Sequence, residues 1–300
     1  MARNISEMET RPDKEIVGVI GLGLMGTALT ERLLEHSYHV AVWNRTRAKA
    51  DPLLAQGAQW SDNPLTSCDR VIISLYTTEV VQAVLAELEA GLHAGQILLD
   101  TTTGEPEQTA ALAARLAARG VRYLDAPISG SSEQTRRGKA TVIVGGSRET
   151  FEACDDLWRV MGAKTFHVGP CGSAARMKLI TNLVLGLNRA ALAEGLAFAE
   201  ALGVSPAAAL EVMTGSNAYS RAMDVKGRKM VERDFAAQAR LSQHLKDVRL
   251  MLQAAGEAGM PLPFADTHRR LMEQAEVAGL GDLDNCAIIE VLRKPTTPGS

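Results

Sequence analysis

Three glycines within six residues, Gly21-Leu22-Gly23-Leu24-Met25-Gly26, follow the β-branched run Ile16–Ile20 and open a helical pattern near Met25. This arrangement leaves the chain few options. Gly21 permits a tight turn, Gly23 lets backbone approach a pyrophosphate, and Gly26 lets helix and strand pack closely. The helix N-terminus adds unpaired N–H groups and positive partial charge for phosphates. A glycine triplet alone is weak evidence, and the same turn can join strand to helix with no ligand. All three glycines fall where a ligand would need them, which predicts a dinucleotide site.

The alternation continues along the first half of the chain. Strand candidates are Ile16–Ile20, His39–Trp43, Arg70–Leu75, Gln96–Asp100, Arg122–Leu124 and Thr141–Val144, with helical patterns at Thr27–His36, Glu79–Leu88 and Glu107–Arg119. Such alternation implies right-handed crossovers and a mainly parallel sheet. Phe151–Met161 predicts one more helix and Lys164–Val168 a closing strand. After Gly169 the strand signals stop. Ala174–Leu202 is Ala- and Leu-rich with small residues on several faces, which predicts a long buried helix. Ser205-Pro206 reads as a cap followed by an N1 proline, and the remainder to Arg293 is helical by pattern. With 300 residues, two domains are expected. The expected architecture is an α/β Rossmann-type doubly wound domain followed by an all-α C-terminal domain. Its divisions are a disordered tail at 1–15, a dinucleotide domain at 16–176, a long interdomain helix at 177–204, a helical domain at 205–294 and a tail at 295–300.

Composition narrows the function. A formal net charge of −3 excludes broad nucleic-acid affinity, and no apolar run is long enough to cross a bilayer. Glu7, Glu9, Asp13 and Glu15 stand among Arg3, Arg11 and Lys14, which argues against a secretory or transit segment. Cys68, Cys154, Cys171 and Cys286 are scattered, with no metal-ligand spacing. They read as reduced thiols of a cytoplasmic protein that holds no metal.

The end of the second strand bears on the cofactor. An NAD-preferring site places an acid there for the ribose 2′-hydroxyl. Here the chain reads Trp43-Asn44-Arg45-Thr46-Arg47. Asn44 and Thr46 can donate hydrogen bonds, and Arg45 can clamp a 2′-phosphate, so NADP(H) is expected. The plainer alternative makes Arg45 and Arg47 solvated loop residues.

Two segments carry the candidate chemistry. Asp125-Ala-Pro-Ile-Ser129-Gly130-Ser131 follows a strand end and offers backbone N–H groups and a hydroxyl to a carboxylate, although by itself it reads as an ordinary loop. Lys178 and Asn182, at i and i+4 after the glycine-rich entry Gly169-Pro-Cys-Gly172, share one face of a helix that otherwise reads apolar. Lysine serves as a proton donor when desolvation or a nearby positive charge lowers its pKa toward neutrality. An Asn one turn away can orient it. An exposed Lys with a surface Asn is the commoner fate of such a pair, and the cofactor site tips the balance. Farther on, Lys246 has the length to reach a substrate carboxylate, with Asp247 as its partner; taken alone, the two read as a surface charge pair.

Together these residues resemble the β-hydroxyacid dehydrogenase family over nearly the whole chain, Ile16 to Leu292. The family pattern maps to Gly21/Gly23/Gly26, Ser129/Gly130, Lys178/Asn182 and Lys246/Asp247. Trp43-Asn-Arg-Thr46, Ser129-Gly-Ser131, Arg176-Met-Lys178 and Gly279-Leu-Gly-Asp-Leu-Asp284 are similar to the glyoxylate/succinic semialdehyde reductase branch. The resemblance implies hydride transfer between nicotinamide and a small hydroxyacid or semialdehyde acid, with Lys178 as general acid/base and Asn182 positioning it. Ser129, Gly130, Ser131 and Lys246 would hold the carboxylate. Gly21, Leu22, Gly23, Leu24, Met25, Gly26, Asn44, Arg45, Thr46, Leu75, Thr102, Thr103, Lys246 and Asp247 would meet NADP(H). A homodimer or homotetramer through the helical domain is implied as well.

The chain departs from the branch at Ser132-Glu-Gln-Thr-Arg-Arg137, at Ala239 where an aromatic is usual, and at Tyr76-Thr77. His244 and Tyr219 are the expected replacements in the pocket. Three alternatives remain: a 3-hydroxyisobutyrate-type dehydrogenase, which would be expected to carry an acid near Asn44; an imine reductase, where the Lys is typically lost; and a non-catalytic NADPH-binding protein.

Overall fold

The computed structural model describes residues 15–293. Of the expected tails at 1–15 and 295–300, residues 1–14 and 295–300 lie outside these residues.

The first half forms a nine-stranded sheet: β1 (Ile16–Ile20), β2 (His39–Trp43), β3 (Gln59–Trp60), β4 (Arg70–Ile73), β5 (Ile97–Asp100), β6 (Arg122–Asp125), β7 (Ile128–Ser129), β8 (Thr141–Gly145) and β9 (Lys164–Gly169). Strand order is β3-β2-β1-β4-β5-β6-β8-β7, with β9 pairing β8. The pairs from β3 through β6 and β8–β9 are parallel, while β8 runs antiparallel to β6 and β7. The two-residue strands β3 and β7 are too short for periodicity to reveal.

Alternation along each strand divides the core. Val17, Val19, Val40, Val42, Ile72 and Leu99 enter one apolar layer. Ile20, Ala41, Trp43, Val71, Ile73 and Leu98 enter the other. A sheet covered on both faces needs apolar residues at every position, which explains the unbroken β-branched runs.

Its covering helices are α1 (Leu24–Glu35), α2 (Asp51–Leu54), α3 (Thr78–Glu87), α4 (Pro106–Ala117), α5 (Ser132–Arg136), α6 (Arg148–Glu152) and α7 (Asp155–Met161). The single helix expected over Phe151–Met161 is thus divided, because the backbone leaves helical geometry at Cys154 (φ −111°, ψ 17°).

Helix α8 (Ser173–Ala201) then runs for 29 residues, about 43 Å at 1.5 Å per residue. It is followed by α9 (Pro206–Thr214), α10 (Arg228–Glu232), α11 (Leu241–Glu257) and α12 (Pro263–Val277). Pro206 starts α9 as expected, but Ser205 makes no side-chain capping bond there. Leu192, Leu196, Met230, Leu245 and Met272 belong to a separate apolar core under α8. The chain is therefore an α/β Rossmann-type domain joined to an all-α C-terminal domain. Among the described residues no helix is long and apolar enough to cross a membrane.

Asp125 fixes how α8 leaves the sheet. Its Oδ2 accepts the Ala175 N–H at 3.0 Å, bringing a carboxylate to the positive end of the helix. Burial nonetheless pushes its pKa up to about 6, against the backbone hydrogen bonds that lower it.

Candidate active site

The order β2-β1-β4 places a topological switch point between β1 and β4, and the cleft opens at the carboxyl ends of these strands. Gly21 sits at φ 99°, and a Cβ there would lie 2.3 Å from the Ser74 carbonyl oxygen. A Cβ on Gly26 would stand 1.9 Å from the Gly21 carbonyl oxygen, so only glycine lets α1 approach the turn. Gly23 has no atom within 4 Å of its Cβ position, and no side chain caps α1. An open glycine before uncapped helix amides suits a pyrophosphate in charge and in space.

Asn44 braces this turn. Its Oδ1 accepts the Leu22 N–H at 3.0 Å, while its Nδ2 donates to the Thr46 carbonyl at 2.8 Å. Both polar ends are thereby used within the protein. Arg47 lies 5.0 Å over the Trp60 ring. Arg45 is exposed at the cleft wall beside Thr46 and Lys49, with no ion-pair partner among the described residues. Lys49 was not anticipated, although it stands four residues beyond Arg45.

Farther along the cleft, Lys178 is buried and its Nζ donates to the Ile128 carbonyl at 2.7 Å. The ammonium thus meets the start of the Ser129-Gly130 loop. Burial lowers its pKa to about 8; Asp247 opposes this shift and Lys246 reinforces it. Asn182 is also buried, but its Nδ2 donates to Asp247 Oδ2 at 2.9 Å rather than bonding Lys178. Lys246 Nζ bonds the carbonyls of Tyr76 (3.1 Å) and Thr103 (2.7 Å) and pairs with Asp247 Oδ1 at 3.0 Å. A strap of three side chains therefore ties α11 to the loops after β4 and β5. Ser131 forms a capping box with Gln134 on α5, which occupies its backbone N–H and lets its hydroxyl accept.

A single cleft of about 900 Å³ joins both regions. Gly21, Leu22, Gly23, Leu24, Met25, Asn44, Arg45, Thr46, Leu75, Thr103, Ser129, Gly130, Ser131, Lys178, Asn182 and Asp247 line it. Gly26, Thr102 and Lys246 are not among its lining residues; the Thr102 hydroxyl accepts the Leu75 N–H at 3.1 Å. His244 lines the cleft, whereas Tyr219 points away to Asp224, 2.5 Å from its hydroxyl. Burial, then the charges of Arg189, His268 and Lys178, hold the His244 pKa well below the usual value. Sequence reasoning missed Arg189, Lys226 and Asn285, which line the same cleft. Arg189 corrects the expectation that α8 is apolar beyond the Lys178–Asn182 pair. Its spacing of eleven residues from Lys178, three helical turns, was the available signal.

Turn, switch point and cleft define a dinucleotide-binding protein of two domains. Residues 16–169 match the family profile for the NAD binding domain of 6-phosphogluconate dehydrogenase. Residues 172–292 match the profile for NAD-binding of NADP-dependent 3-hydroxyisobutyrate dehydrogenase. The 2-(hydroxymethyl)glutarate dehydrogenase of Eubacterium barkeri is 31% identical over 93% of this chain and 95% of its own. Glyoxylate/succinic semialdehyde reductase 1 of Arabidopsis thaliana is 29% identical over 92% of this chain and 98% of its own. The structure of Psf3 in complex with NADP+ and 2-OPP superimposes with a TM-score of 0.84 at 29% identity, over 92% of this chain and 99% of Psf3. The chain spans about half the length of another relative, cytokine-like nuclear factor N-PAC of Xenopus tropicalis (29% identical, 92% of this chain, 53% of N-PAC). The protein belongs to the β-hydroxyacid dehydrogenase family, oxidoreductases that bind a nicotinamide dinucleotide.

Proposed function

We propose that the protein is an NADPH-linked reductase of small carbonyl acids such as glyoxylate or succinic semialdehyde, with Lys178 as the proton donor. One observation carries this reading: a buried lysine whose pKa burial lowers to about 8 lies in the same cleft as the glycine turn and the Ser129-Gly130 loop. When bound, the reduced nicotinamide supplies hydride to the carbonyl carbon. Lys178 gives its proton to the carbonyl oxygen and takes it back in the reverse direction. The Ser129 hydroxyl and the Gly130 backbone hold the carboxylate. Ser131 shapes that loop through its capping box. Asn182 faces the reacting oxygen from a position set by Asp247, and Lys246 holds the loops that frame the nicotinamide. That role for Lys246 agrees better with its bonds to Tyr76 and Thr103 than direct capture of the carboxylate does.

Arg45 supports NADP over NAD, because no carboxylate stands at the end of β2 and this guanidinium is uncommitted. A homodimer through the helical domain is supported by the exposed Ile180, Val184 and Phe198 on α8 and Val212 on α9.

The test is Lys178→Ala, assayed with glyoxylate and succinic semialdehyde. Turnover is expected to fall roughly 100- to 10,000-fold, the range for a lost general acid. The dissociation constant for NADPH is expected to hold within about threefold, roughly 0.65 kcal/mol, because the glycine turn and Arg45 hold most of the cofactor. A variant that still reduces its best substrate near the wild-type rate would refute the assignment.

A further inference from the structure

Among the described residues Arg189 has no counterion, although it is only 3% exposed. Its Nε and Nη2 are sealed from solvent without a hydrogen-bond partner. Burial lowers its pKa to about 10, with Asp284 and then Cys286 opposing the shift. Asp284 is already committed elsewhere. Its two oxygens take Lys226 Nζ at 2.7 and 2.8 Å, and they also accept the N–H groups of Gln238, Ala239 and Cys286. Lys226 is thereby neutralised and Arg189 is not. A buried cation without a partner is strongly unfavourable, and a folded chain retains one where a ligand or another charge completes it. Asn285, beside it on the cleft wall, likewise has a buried Oδ1 without a partner.

The placement relative to Lys178 is informative. Residues 178, 182 and 189 follow i, i+4, i+11 and share one face of α8. Helical side chains lean toward the N-terminus, so the Arg189 head group inclines toward Asn182. Between them sits the His244 ring, with Nε2 only 2.6 Å from the position of a Cβ on Gly186. His244 packs edge-on against His268, at 5.4 Å between ring centroids. Neither ring brings a negative charge to Arg189.

We propose that Arg189 anchors a second carboxylate of the substrate, so that the cleft takes a dicarboxylic hydroxyacid or its carbonyl form. The first carboxylate meets Ser129 and Gly130, the reacting carbon lies at Lys178, and the distal carboxylate meets the Arg189 guanidinium where that residue lines the cleft. This inference rests on the reading of the cleft as a hydroxyacid dehydrogenase site. It adds the residue that selects the substrate.

Two hydroxyacids isolate the distal group. 3-Hydroxyisobutyrate and 2-(hydroxymethyl)glutarate share the hydroxymethyl carbon and the adjacent carboxylate. The second compound carries a chain ending in another carboxylate where the first has methyl. Wild-type enzyme is expected to oxidise the diacid with the higher kcat/KM. Arg189→Met is expected to lower the diacid-to-monoacid ratio about 30- to 100-fold, as for loss of a charge-assisted hydrogen-bond pair. Arg189→Lys is expected to fall between, keeping the charge without the fork. A wild-type preference for the monoacid, or a ratio that moves less than about threefold in Arg189→Met, overturns the proposal. Glutarate, which has no group to oxidise, separates this inference from the chemistry beneath it. Saturating glutarate is expected to raise the melting temperature of wild type but not of Arg189→Met. If that difference holds while neither hydroxyacid is oxidised, the second-carboxylate site stands and the proposed reaction fails. Equal shifts in the two proteins, or none in wild type, overturn the site.

Discussion

The two ends of the cleft are made of different material. At the β1 end the wall is main chain: Gly21, the open Gly23 and the uncapped start of α1. At the other end it is buried polar side chains, with Lys178, Asn182 and Arg189 along α8 and His244 and Asp247 from α11. A backbone surface accepts a ligand shared by a whole family, because its donors depend on conformation rather than on residue identity. Buried charges are costly to keep and each is matched to a particular group, so specificity concentrates there. Substitutions at the first end are therefore expected to act through space and shape, and at the second through charge and protonation.

The comparison is broken most severely by adding one methyl group at the cofactor end. Gly26→Ala drives a Cβ against the Gly21 carbonyl and toward Ser74 Cβ at 3.3 Å. Overpacking of this kind costs about 1–3 kcal/mol, and here the displaced atoms are the turn itself. The affinity for NADPH is expected to fall about 30-fold or more by fluorescence titration, with a lower melting temperature. Gly256→Ala is the control, since Gly256 lies in α11 with no atom within 4 Å of its Cβ position. It is expected to leave the affinity unaltered and to stabilise the helix by up to about 1 kcal/mol. Equal losses in the two variants would show that the turn is not a shape-limited surface.

A smaller effect sharpens the same contrast. Arg45 is the side-chain element at the main-chain end, and Arg45→Ala removes a charge-assisted contact worth roughly 1.5–3 kcal/mol. The Michaelis constant for NADPH is expected to rise about 10-fold or more while that for NADH barely moves. Similar changes for both cofactors would remove Arg45 from 2′-phosphate recognition.

The main-chain end was legible in the sequence because it is local. Gly21, Gly23 and Gly26 are contiguous with β1 and α1, and the structure places each glycine in the environment that the turn requires. The parallel sheet was legible as well, since burial on both faces demands long apolar runs. The side-chain end is assembled from distant segments, and only part of it could be read. Lys178 and Asn182 announced themselves by spacing, but the partner of Asn182 is Asp247, 65 residues away. Nothing in the helix pattern of α11 predicts that contact. Arg189 escapes notice because a long Ala- and Leu-rich helix invites an apolar reading, and an isolated arginine in its middle looks like a solvated residue. Only the packing of α11, α12 and the turn at Asp284 around it shows that it is enclosed and unpaired. Tyr219 failed for the opposite reason: it stands near the pocket in sequence terms, yet its hydroxyl is taken by Asp224.

The claim that protonation governs the side-chain end is tested most directly by the pH dependence of kcat for carbonyl reduction. Burial, the largest cause, lowers the Lys178 pKa to about 8, so the donor form is complete below that pH and is depleted above it. The reduction rate is expected to be level below about pH 7 and to decline about tenfold per pH unit above pH 8. Oxidation, which needs the neutral amine, is expected to rise over the same interval and level off. A reduction profile that stays flat to pH 10 would contradict the account, since a lysine that keeps its proton that far cannot be the desolvated donor described here.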